Sequence, residues 1–419
     1  MKKIFSTLSL LILLVILGLQ STSCACLTMQ ESTQDKAKYV FYFIGDGMGL
    51  AQVALSEDYL AYTQGKGIAT TEMSFTQFPE LGLITTFSAS NIITCSSAAG
   101  TALSTGSKTK NGMLGLAPDS VTVLTSIAQK IKNAGYKVGI TSTVCLNHAT
   151  PAAFYAHNIS RNDYYNIALQ LPQSGYDFFG GGGFLSETGL KRDQPSVVPL
   201  LEQGGYTFIF GKDEFNALSV KPKKAILLQA KDKNFLREVP YALDRKPDDI
   251  SQADIVQVAI SCLENEKGFF LMSEAGKIDF ACHSNDAKAA ILETMDLSQA
   301  VEVALEFARN HPHETLIVVT ADHETGGLTL GDTSQYVMNF NELDSQTSSI
   351  DLLNNSQLRD QAKEVAAMNT RAKIGWTTSG HTGCPVPVYA YGAGSHLFGG
   401  RMDNTDVPKK ICQAMGIAF

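Results

Sequence analysis

Past its first 23 residues the chain has no apolar run long enough to cross a bilayer, no CxxC pair, no internal repeat and no basic surplus. The first absence excludes a spanning helix in the mature protein, and the second excludes a zinc-knuckle pattern. Beyond Cys24 and Cys26 six cysteines remain, at 95, 145, 262, 282, 384 and 412, without regular spacing, so no disulfide is assigned. The net charge of −8 becomes −10 once the segment carrying Lys2 and Lys3 is removed, which argues against a broad electrostatic grip on nucleic acid. An anionic substrate would have to be attracted locally.

What the sequence does contain begins with a leader. Met1-Lys2-Lys3, an apolar stretch over 8–19 and Ser/Thr/Cys-rich residues before Cys24 form a signal-peptide pattern over 1–23, implying export. Two outcomes stay open: a lipid anchor on Cys24, whose upstream box carries Ser21 instead of an aliphatic residue, or ordinary cleavage near Ser23 or Ala25. Either places the protein in the periplasm, on the outer surface or in the medium. A polar leader over 24–38 follows, and 39–419 reads as one catalytic domain.

Within that domain short apolar runs at 39–44, 136–141, 225–228, 268–272, 316–320 and 386–391 alternate with helical periodicity at 123–134, 251–265 and 286–308. This predicts an α/β fold with a mainly parallel central sheet flanked by helices on both faces. The stretches 178–190 and 326–376, rich in Gly, Asp, Asn, Ser and Thr, are expected to be loops or insertions.

The chemistry-bearing residues collect at the ends of these runs, where ligands gather in such sheets. Asp46 stands between glycines after the first run; alone it would read as a turn-stabilising residue. Asp279 and His283 are four apart, one face of a helical turn and able to chelate one metal. Asp322-His323 offers two adjacent ligands, and His381 another imidazole. Glu274 and Thr150 add harder oxygen ligands that suit magnesium beside two zinc ions, and His148 could join or orient that third site. Ser96 opens a small-residue run that can start a helix, placing a hydroxyl at its positive end; the plainer alternative is an N-cap serine. Arg161 can grip two phosphate oxygens, although arginine is more often a surface group. Four carboxylates against one guanidinium would repel a phosphate dianion until divalent cations reverse the sign.

Taken in order, FIGDGMG, SSAAGTALSTG, HATPAAFYAH followed by Arg161, EAGKID with His283, TADH and GHTG resemble the alkaline phosphatases from about Tyr39 to the C-terminus. The resemblance implies one zinc on Asp279, His283 and His381, a second on Asp46, Asp322 and His323, and magnesium on Asp46, Thr150 and Glu274. It further implies that Ser96 attacks small-molecule phosphate monoesters through a phosphoserine intermediate, with Arg161 holding phosphate oxygens. Relatives are often homodimers, but no interface signature is legible here.

Three positions depart from the family pattern. Cys95 stands where an aspartate usually precedes the nucleophile, so the carboxylate that would fix Arg161 is missing. Phe280 replaces a Lys or His of some relatives and removes a water-mediated phosphate contact. His148 replaces an aspartate of some relatives and bears on which metal fills the third site. The rival readings are a phosphodiesterase or sulfatase on the same scaffold and a non-catalytic phosphate-binding protein. A sulfatase signature would need a proline two residues beyond Cys95 and an arginine two beyond that, where Ser97 and Ala99 stand.

Overall fold

The computed structural model describes residues 36–229, 238–331 and 336–419; the leader segment, Cys24 and most of the polar leader lie outside these residues. A ten-stranded sheet forms the centre. Its strands are β1 (Tyr39–Gly45), β2 (Glu80–Thr85), β3 (Lys137–Cys145), β4 (Phe178–Gly182), β5 (Thr207–Phe210), β6 (Ala225–Leu228), β7 (Phe269–Ala275), β8 (Thr315–Thr320), β13 (Val386–Gly392) and β14 (Gly400–Asp403). They are ordered β14-β2-β13-β8-β1-β7-β3-β4-β6-β5. Short ladders join β9 (Glu324–Thr325) to β12 (His381–Thr382) and β10 (Leu328–Leu330) to β11 (Ile374–Trp376).

β1 and β7 are buried along their whole length, as strands covered by helices on both faces must be, which explains why they read as unbroken apolar runs. Among the described strands of the ten-stranded sheet, β13 alone runs against the rest, pairing antiparallel with β8 and β2. That reversal decides where the site can form. Asp46, Glu274, Asp322 and His148 lie at or beyond the carboxyl ends of parallel strands, whereas His381 precedes its strand. Because β13 is inverted, its start lies beside the ends of β8 and β2, with Val388 opposite Thr320 and Val386 opposite Ile84.

Helix starts follow local chemistry. Ser251 and Asp254 form a capping box before Gln252–Leu263, and the Asp286 carboxylate accepts the Ala289 N–H at the head of Ala287–Asn310. The helix expected over 123–134 begins only at Ile127, because Ser126 caps it and Val123 bridges to Leu116.

Two loop expectations are corrected. Residues 178–182 form β4, inside the sheet between β3 and β6. Glycine is needed there: Gly181 has φ +136°, and a Cβ on it would lie 1.7 Å from the Ser142 carbonyl oxygen. The polar stretch 326–376 holds β10, β11 and the helices Ile350–Asn355 and Arg359–Ala372. Leu343, Ile350, Leu353, Val365 and Met368 build a second apolar core there against Leu55, Tyr59 and Ile291.

Candidate active site

The turn after β1 brings Asp46 to the carboxyl edge. Gly47 allows it, with φ +78° and no room for a side chain: a Cβ would stand 2.9 Å from Asp279 Cα. Asp46 is fully buried and neither carboxylate oxygen has a hydrogen-bond partner, so it does not act as a turn-stabilising residue. Glu274 Oε1, Asp322 Oδ2, Thr150 Oγ1 and His148 Nδ1 are buried without partners as well. So many unmatched polar atoms in one place require counter-charge.

Two imidazoles have their tautomers set by backbone carbonyls, which can only accept. His283 Nδ1 donates to the Ser379 carbonyl at 2.6 Å and His381 Nδ1 to the Thr94 carbonyl at 2.9 Å. Their Nε2 atoms face each other at 3.2 Å, and His283 Nε2 is 3.2 Å from Asp279 Oδ2. His323 Nε2 lies 3.3 Å from Asp322 Oδ2 and 3.4 Å from Asp46 Oδ1. Zinc bound tetrahedrally at about 2.0–2.1 Å separates its ligands by roughly 3.3 Å. The donor spacings therefore fit zinc-sized cations.

Asp46, His148 and Glu274 converge as a third group, and Asp279, His323 and His381 are also close enough to share an ion. His323 thus links the two zinc-type sets. Ser96 Oγ lies 3.3 Å from His323 Nε2. Ser96 is the first residue of Ser96–Thr105, and Cys95 holds the N-cap position. The Cys95 thiol accepts the Gly112 N–H at 3.1 Å and lies 3.1 Å from Ser97 Oγ, so the serine and not the cysteine faces the cluster.

Electrostatics tell the same story. Burial, reinforced by Asp322, holds the Asp46 carboxyl far above the usual range, and burial pushes Glu274 to about 8. Asp322 rises to about 7, from burial and the nearby Asp279. Burial would raise Asp279 also, but hydrogen bonding to His283 and the surrounding imidazoles hold it low, and Asp279 lifts His283 to about 9. Burial and the Arg161 charge hold His148 down to about 3, a neutral imidazole. Without cations this cluster cannot carry all its charges, and bound cations would restore the ionised ligands.

Arg161 Nη2 approaches His148 Nε2 at 3.2 Å, and the Phe280 ring stands edge-on to His148 at 5.6 Å. Asp46, Ser96, His148, Arg161, Glu274, Asp279, Phe280, His283, Asp322, His323 and His381 are thereby linked in one neighbourhood, while the Thr150 hydroxyl is buried without a partner. Sequence reasoning missed Thr325, whose hydroxyl donates to Asp279 Oδ1 at 2.5 Å and lies 3.2 Å from His323 Nδ1. It also missed Ser142, which donates to Glu274, and Gln52, which ties Gly49, Glu324 and the Thr325 carbonyl together. Small polar residues in strands carry no distinguishing signal, although Thr325 follows the TADH motif by only two positions.

A family profile described as alkaline phosphatase matches residues 37–184 and 184–417. Alkaline phosphatase 4 of Bacillus subtilis is 32% identical, covering 89% of this chain and 88% of its own. The crystal structure of a cold-active alkaline phosphatase from a psychrophilic Shewanella superposes with a TM-score of 0.78 at 31% identity, over 90% of this chain and 99% of that one. A TAB5 alkaline phosphatase variant with a histidine changed to aspartate, described with magnesium in its M3 site, gives a TM-score of 0.72 at 30% identity, over 92% and 100%. The chain belongs to the alkaline phosphatase family.

Proposed function

We propose that this protein is an exported phosphomonoesterase that releases alcohol and inorganic phosphate through a phosphoserine intermediate on Ser96. The observation that carries the reading is the Ser96 hydroxyl, 3.3 Å from His323 Nε2, at the edge of the buried Asp46, Glu274 and Asp322 carboxylates, each with at least one oxygen that no protein group pairs. Simple phosphate capture would need no nucleophile there. Asp279, His283 and His381 would hold one zinc, Asp46, Asp322 and His323 a second, and Asp46, Glu274 and Thr150 a magnesium, with His148 beside it.

Bound at these positions, the cations would acidify the serine hydroxyl and offset charge on the phosphoryl and leaving oxygens. Ser96 Oγ forms a bond to phosphorus as the ester P–O bond breaks and the alcohol departs. Water then cleaves the phosphoserine and returns the hydroxyl. Arg161 binds the oxygens on which charge accumulates, positioned through its backbone N–H to the Gly112 carbonyl at 2.7 Å. Thr325 holds Asp279 and His323 in orientation. The leader pattern and the family support export.

Ser96→Ala separates this reading from non-catalytic binding. Hydrolysis of a chromogenic monoester should fall by about two orders of magnitude or more while metal content stays at the parent level. Unchanged turnover would remove Ser96 from its role.

A further inference from the structure

A cavity of about 610 Å³ lies on the Phe280 side of the site, walled by residues 238–249, the helix Lys277–His283 and the helix Ile350–Asn355 of the second core. Its size is that of a pocket for a small organic molecule. Phe280 joins it to the reaction centre: the residue lies between Asp279 and His283 in sequence, and its ring meets His148, which meets Arg161.

We propose that this cavity receives the alcohol portion of the monoester, and that it suits a ring-bearing polyhydroxy alcohol, the chemistry shared by sugars and nucleosides. The inference rests on the phosphomonoesterase reading and extends it to substrate class. Tyr241 and Phe280 supply flat apolar walls. Between them the Lys277 ammonium stands 4.5 Å and 5.4 Å from the two ring centres and is paired with Glu238 at 2.6 Å.

Acceptors complete the lining. Asp351 takes one hydrogen bond on each oxygen, from Tyr241 at 2.5 Å and Ser284 at 2.6 Å. Asp244 takes two from Ser349, at 2.8 and 2.5 Å. Each carboxylate oxygen has two lone pairs, so both groups keep acceptor capacity while locked in place. Fixed acceptors, an ammonium donor and aromatic faces together match neutral hydroxyls on a ring better than a purely apolar or a singly charged group.

The test compares kcat/KM of the metal-loaded enzyme for a ribonucleoside 5′-monophosphate, a hexose 6-phosphate, cyclohexylmethyl phosphate and ethyl phosphate. The expected result is a preference of about tenfold for at least one hydroxylated ring over both hydroxyl-free esters, expressed mainly in KM. Which of the two rings leads identifies the source as sugar or nucleoside. Leu352, 42% exposed at the rim, is changed to Trp to fill the cavity without touching the reaction centre. Leu352→Trp should cut the preference to about twofold and leave ethyl phosphate unchanged. The free alcohol should also compete with ethyl phosphate in the parent and lose that effect in the variant. Parity among the ring esters in the parent, or a preference that survives Leu352→Trp, overturns the subsite alone. A parent inert toward all four esters overturns the hydrolase reading beneath it.

Discussion

The Cys95 thiol spends its contacts on Gly112 and Ser97, and among the described residues the Arg161 guanidinium has His148 and no carboxylate beside it. A guanidinium without an anionic partner loses more freedom when it grips phosphate. Cys95→Asp should therefore lower KM by several-fold with kcat moving less than about twofold, as steady-state kinetics will read; equal KM would refute it. His148 is the second informative side chain. Its buried imidazole stands with Asp46 and Glu274, where a hard cation would prefer oxygen. His148→Asp should lower the magnesium concentration for half-activation by about tenfold, measured by titration into zinc-loaded enzyme. The candidate ligands were legible as a set because several Asp, His and Glu residues recur together at strand ends. Their orienting partners, the Thr94 and Ser379 carbonyls, were not, since any residue can present a carbonyl.

Among the elements, the helix Ala287–Asn310 carries a buried charge network that clamps the wall of the leaving-group cavity. Arg245 makes a two-pronged pair with Asp296 at 2.9 and 2.8 Å, while Glu293 accepts the Ala242 N–H at 2.6 Å. Burial, with Asp296 adding to it, lifts Glu293 to about 8 from its ordinary 4.5. A carboxyl raised on folding stabilises the protein below its unfolded value, and that contribution is lost as pH rises through the folded value. Thermal stability should thus decline between about pH 4.5 and 8. Glu293→Gln keeps an acceptor for Ala242 and should flatten this decline by about 2 °C or more, read from melting temperatures across that window. The strands β1, β6, β7 and β8 were legible as continuous apolar runs. β4 was not, because its glycines answer to the Ser142 backbone across the sheet and not to any local pattern. The 326–376 stretch hid its helices for a related reason: its apolar residues are set among many polar ones, and they are buried against Leu55, Tyr59, Ala287 and Ile291 elsewhere in the chain.

For the molecule as a whole, the cluster of candidate metal ligands joins the ends of β1, β7 and β8 to the segments around Ser96 and His381, so bound cations should stabilise the fold as well as the reaction. Removing them leaves buried carboxylates facing one another. Chelation should abolish turnover and lower the melting temperature by several degrees, with zinc and magnesium restoring both; activity indifferent to chelation would overturn the metal assignment. Trp376, the single tryptophan, offers an optical check. A Cβ on Gly326 would lie 2.5 Å from its ring, and Gly326 is three residues from His323, so its emission should change as metal returns.

The sequence by itself determined the fold class, the family and the set of candidate metal and phosphate ligands, because burial writes apolar runs and metal chemistry narrows the residue types allowed. Only the tertiary structure decided that His381 reaches the others, since that depends on β13 running backwards beside β8 and β2. It alone decided which carbonyls and hydroxyls aim the ligands, and that residues 238–249 and Ile350–Asn355 meet beside Phe280 to form a cavity. Those contacts join residues far apart in the chain, and distance along a sequence carries no record of which distant backbones will meet.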